Sequence, residues 1–221
     1  MGEWIYRPNL QEDWMSLVFL INLLVILFLY KLEPGRLLEL FNILNPRAYF
    51  GKYSHEKELN YYSYFNLACF ALIVSALSLT YFSFSGVFGR SLLYSFEFYY
   101  LVLGLSVVLW IRKILIQLVA SQLKFGTYLF LPAYKSFTIA TQASFFLLGV
   151  LFLWNYSSIP KLMTESLMVL LILIWMVNQI GIFFSFFRSH TEELIYIILY
   201  LCTFRIAPWI WVYFIFIETK L

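Results

Sequence analysis

Polar side chains set inside long apolar runs are the places where this chain could do chemistry, because a charge or an amide in hydrocarbon is costly to keep. Arg205 is the clearest case, midway along an apolar stretch, with Pro208 one turn on. Proline removes a backbone donor and crowds the preceding carbonyl, so a kink is expected there. An arginine beside an opened helix suits an anion or headgroup site, or a gate. It equally suits an arginine that satisfies the freed carbonyls and pairs with one acid. Glu97, at the start of another apolar run, is the carboxylate nearest a span interior and the natural partner for Arg205. Asn178 and Gln179 lie together in one run and Gln142, next to Thr141, in another. Such amides bind a polar solute or, more commonly, hydrogen-bond between helices.

The absences narrow the chemistry further. Asp13 is the chain's one aspartate and lies outside the runs. No phosphate-binding glycine loop, nucleophile elbow or HExxH is present. His55 and His190 stand far apart, and Cys69 and Cys202 sit singly in apolar sequence, so neither a metal site nor a disulfide framework is expected. His190, Thr191, Glu192 and Glu193 read as the start of a helix, where acids favour the positive end of the dipole. No catalytic residues, cofactor or metal are assigned, and an enzyme is the weaker reading.

The elements that carry these residues follow from composition. Of 221 residues, 62% are hydrophobic and only 12% charged. A soluble chain is roughly 45–50% apolar and about 25% charged, so lipid must solvate much of this surface. A spanning helix needs about 20 mostly apolar residues. Six such segments are expected, at about 14–31, 61–84, 98–119, 137–155, 167–187 and 194–217, in a single membrane domain over 1–221. The fold class is therefore all-α, a polytopic transmembrane helix bundle with short interfacial helices in the loops. One of these is expected after the first span, where Leu37, Leu40, Phe41 and Leu44 recur at helical spacing with Arg36 and Glu39 between them. An extension packed on the bundle explains that pattern equally well. After the third span, Lys113, Gln117, Ser121 and Lys124 mark either a second surface helix or a projecting end of the same helix. The acids Glu3, Glu12 and Asp13 before the first run argue against a cleavable signal.

Basic residues set an orientation. The first loop and its flank carry Lys31, Arg36, Arg47, Lys52 and Lys57, and the third Arg112, Lys113, Lys124 and Lys135. The second loop has Arg90, the fourth Lys161, the fifth Arg188, and the two tails Arg7 and Lys220. Cytoplasmic loops are rich in Lys and Arg, so loops one, three and five are expected in the cytoplasm and both termini in the periplasm. The formal charge of +3 is spread thinly and gives no sign of nucleic acid.

The stretch with Tyr196, Tyr200, Cys202, Thr203, Arg205, Ala207 and Pro208 resembles the C-terminal signature of DUF4271, a family of multi-pass membrane proteins from Bacteroidetes. Asp13 and Trp14 opening the first span, and Ala48, Tyr49 and Phe50 in the basic loop, fit the same pattern. The resemblance departs at Arg205, where the family signature carries Glu, which puts any acid-dependent role in doubt for this chain. It implies a Gram-negative inner membrane and a cell-envelope setting, and no activity. The expected partners are the lipid bilayer and a membrane protein or a second copy of the chain. The function expected is a non-enzymatic subunit or scaffold of an envelope complex. The alternative is a small-solute transporter or lipid-handling protein built around Arg205 and Pro208.

Overall fold

The computed structural model describes residues 13–41, 63–87, 95–122, 126–157 and 159–189. Its elements are α1 (Asp13–Leu32), α2 (Pro34–Phe41), α3 (Tyr64–Val87), α4 (Ser95–Gln122), α5 (Gly126–Tyr156) and α6 (Lys161–Ser189). Every described element is an α-helix, as the composition requires of a lipid-solvated chain, whose backbone groups must be satisfied within each segment. Five helices are long and apolar enough to cross a membrane, over Trp14–Leu32, Tyr64–Ser83, Phe98–Leu115, Pro132–Tyr156 and Leu162–Ile182. The expected sixth span, 194–217, lies outside the described residues.

Local chemistry sets the ends. Ser63 starts α3, its Oγ accepting from the Asn66 N–H at 3.3 Å and its carbonyl accepting from Leu67 N–H at 3.0 Å. The Pro160 carbonyl accepts from Met163 N–H at 2.9 Å and so opens α6, bringing Thr164, Glu165 and Ser166 into the helix ahead of the apolar run at 167. α5 likewise begins at Gly126, upstream of the expected start at 137, with Pro132 and Lys135 inside it. Pro132 is the seventh residue of α5, past the first turn, so it lacks an N–H that would otherwise bond the carbonyl four residues back within the helix. α4 runs unbroken past Lys113 to Gln122, so the third span projects as one helix.

Side-chain pairs fix the helices as an up-and-down bundle. At one end Trp14 meets Phe82 edge-on at 5.0 Å and Phe98 at 4.8 Å, joining the start of α1, the end of α3 and the start of α4. At that same end Ser16 hydrogen-bonds Tyr156 at the end of α5, and Phe19 packs against Phe152 at 5.7 Å. Midway, Asn22 Nδ2 donates to Ser75 Oγ at 2.7 Å between α1 and α3. At the other end lie the last turn of α1, α2, the first turns of α3 and the first half of α5. The core between them includes Leu29, Leu40, Phe65, Leu72, Leu79, Leu151 and Met168, all nearly inaccessible. The outer faces of α1 and α6 remain exposed along their length, as a lipid-facing surface should.

Candidate functional site

The end of the bundle at which α1 gives way to α2 holds the most concentrated polar chemistry among the described residues. Pro34 lacks the N–H that would continue α1, yet helical bonding resumes on either side, from Glu33 N–H to Leu29 O and from Leu37 N–H to Glu33 O, each 3.1 Å. The chain thus bends at Glu33 and lays the α2 side of Arg36, Leu37 and Leu40 against the core, while Leu38 and Phe41 stay exposed. α2 is packed on the bundle, one of the two readings its spacing allowed. Leu44 lies outside the described residues.

Arg36 is the centre of this site. It is only 7% exposed, although arginine is rarely buried unless paired. Its Nη1 donates to Glu33 Oε2 at 3.1 Å and its Nη2 to the Tyr134 hydroxyl at 3.0 Å. Its guanidinium carbon stands 4.5 Å from the centroid of the Phe65 ring, the distance of a cation–π contact. One side chain of α2 therefore grips α3 and α5 at once. Glu33 is 44% exposed and neutralises the charge from the water side, while Tyr134, at 2%, is sealed within the protein. Arg36 was legible in sequence only as a loop cation. The signal that could have found it is Glu33 and Arg36 placed three residues apart around Pro34, a spacing that pairs charges on one helical face.

The neighbouring polar groups act the same way. Gln142 Nε2 donates to the Leu40 carbonyl at 2.7 Å, closing a carbonyl at the end of α2 that the helix itself leaves open. Phe41 packs on Phe145 at 4.8 Å beside it. Thr138 and Thr141 donate to the carbonyls of Tyr134 and Phe137 one turn back. Cys69, on α3, is 1% exposed. A cysteine nucleophile must be reachable by what it attacks, and a thiol buried this deeply is not.

One face round, Gln179 on α6 accepts from Ser136 Oγ at 2.6 Å and donates to the Ser136 carbonyl at 3.2 Å. It is 8% exposed and holds α6 to α5. Asn178, its neighbour in sequence, points away from α5. It is exposed, and its Nδ2 donates to Ile174 O at 3.0 Å within its own helix. The amides singled out by sequence thus divide: Gln142 and Gln179 face inward at the Arg36 end of α5, and Asn178 faces out. Glu97 lies in the first turns of α4, and its side chain is outside what is described. Arg205 and Pro208 lie outside the described residues altogether. Among the described residues no three His, Cys, Asp or Glu side chains are grouped to hold a metal ion.

Antiparallel apolar helices tied by a few inward polar contacts define an α-helical membrane protein. The chain matches the family described as a domain of unknown function, DUF4271, over residues 15–216, and it belongs to that family. Comparison with curated proteins finds no match, and comparison with solved structures finds none either.

Proposed function

We propose that the protein is a non-enzymatic subunit or scaffold of an inner-membrane complex in the cell envelope. The observation that carries this reading is the use the bundle makes of its inward-facing polar groups. Arg36, Gln142 and Gln179 are spent on holding one helix to another, and Ser78, Thr80 and Ser144 on carbonyls of their own helices. A solute path needs polar groups turned toward water, and an active site needs titratable groups within reach of one another. Inward ties of this kind rigidify a bundle instead, which is what a scaffold requires.

The reading places both termini in the periplasm. Lys31, Arg112, Lys113 and Lys135 gather at the Arg36 end of the bundle, the side that the positive-inside rule assigns to the cytoplasm. Affinity purification of the tagged full-length chain from native membranes in mild detergent tests the reading, with mass spectrometry of what accompanies it. A membrane-protein partner at fixed stoichiometry, lost from the membrane when this chain is deleted, is the expected result. A solitary protein carrying a bound solute or lipid at constant ratio would overturn it.

A further inference from the structure

Where α1 and α3 run side by side, their outer faces leave a groove over part of their length. Asn22 and Ser75 tie the two helices at 2.7 Å near mid-span. Between that tie and the α2 end of the bundle the groove is open, lined chiefly by Ile21, Leu24 and Phe28 of α1 and by Tyr64, Leu67 and Ala68 of α3. Ala68 carries a single methyl and so leaves room between its larger neighbours. The groove holds about 390 Å³, within the roughly 300–1,000 Å³ of small-molecule pockets. Its lining is apolar except for the Tyr64 hydroxyl at its mouth.

Length and charge decide what fits. From Ile21 to Lys31 the helix rises about 15 Å, half of the roughly 30 Å of hydrocarbon in a bilayer. A groove of that reach serves one leaflet. It matches an acyl chain, whereas a partner helix crossing both leaflets would run on past it. At the mouth stands Lys31, one turn beyond Phe28 and on the same side of α1. Lys31 is exposed, and among the described residues no acid pairs with it. Glu33, the acid nearest to it in sequence, accepts from Arg36 at 3.1 Å. Tyr64 is 74% exposed at the same end, where a tyrosine ring meets the headgroups. An apolar slot one leaflet deep that ends at an unpaired cation is complementary to an amphiphile with an apolar tail and a negative head.

We propose that this groove seats an acyl chain of an anionic phospholipid, whose phosphate lies at Lys31. This goes beyond the scaffold reading and does not depend on it. That reading turns on a protein partner and this one on a headgroup, so each can fail alone.

The test is photocrosslinking of the full-length chain reconstituted in phosphatidylcholine nanodiscs. Trace phosphatidylglycerol with a diazirine in one acyl chain is added, or phosphatidylcholine carrying the same chain, and the adducts are located by mass spectrometry. Phosphatidylglycerol should label residues 21–28 and 64–68 about fivefold more than phosphatidylcholine does, the preference that one lysine near the surface supplies. On α6, where Leu167, Leu170 and Leu173 are similarly exposed, the two probes should label alike. Lys31→Gln should bring the groove signal of phosphatidylglycerol down to that of phosphatidylcholine. Lys113→Gln, on α4 and outside the groove, removes a charge at the same end and should leave that signal unchanged. Equal labelling of the groove by the two probes in the unaltered chain would overturn the proposal, as would equal loss in the two variants. A groove that neither probe labels would be covered by protein, and that too would overturn it.

Discussion

Removing the Tyr134 hydroxyl tests whether Arg36 holds the helices together. Tyr134→Phe keeps the ring and deletes an acceptor for a 3.0 Å bond from a guanidinium that is 7% exposed. A hydrogen bond to a charged group contributes about 1.5–3 kcal/mol, and the buried site cannot readily replace it with water. Tyr134→Phe should therefore cost about 2 kcal/mol. Arg36→Met behaves differently: it keeps an apolar stem and removes the charge, so the burial penalty of the ion disappears with its attractions. It takes from the buried tyrosine hydroxyl the bond that Arg36 donates, at a cost of about 1 kcal/mol, while half-exposed Glu33 can turn to water. In the Arg36→Met background, Tyr134→Phe should then cost much less, since the bond from Arg36 is already gone. The coupling across the cycle should be at least about 1.5 kcal/mol. Reversible unfolding in mixed micelles by titration with a denaturing detergent measures all four proteins. Equal effects of Tyr134→Phe in the two backgrounds would refute the reasoning, because the 3.0 Å contact would then carry no energy of its own.

Three further outcomes follow from the packing. Gln142→Leu removes the bond to the Leu40 carbonyl; polar contacts between membrane helices average about 0.6 kcal/mol, so the loss in global stability should be small. The effect should appear locally instead, as faster maleimide labelling of a cysteine placed at the buried position Leu40. Trp14→Ala, at the opposite end, breaks two ring contacts, with Phe82 and Phe98, each about 0.5–1.5 kcal/mol beyond area burial, and the same unfolding titration should show a loss of about 2 kcal/mol. For orientation, a cysteine at Ser157, between α5 and α6, should react with an impermeant maleimide added from the periplasmic side; one at Lys31 should react only after the inner membrane is opened. The reverse pattern would invert the topology.

The spans were legible because lipid imposes a one-dimensional rule: a run must be apolar for about 20 residues, whatever its neighbours do. Where a helix begins beyond that run is set by groups the rule does not weigh. Thus α6 extends back to Lys161 because the Pro160 carbonyl opens it, and α5 back to Gly126 through Pro132. Gln142 and Gln179 were recognisable as amides set in apolar sequence, since an amide there must find a partner. The partners, the Leu40 carbonyl and Ser136, were not, because they come from other helices brought alongside.

The sequence by itself determined the class of this protein: an all-helical membrane bundle whose spans are fixed by composition and length. Only the tertiary structure decided which polar residues lie inside it. Arg36 is a loop cation when read along the chain. It becomes a buried clamp because the bend at Pro34 turns α2 inward, and because Phe65 and Tyr134, far away in sequence, close over the guanidinium. The burial of a charge depends on what faces it in three dimensions, and a linear pattern records only what stands beside it.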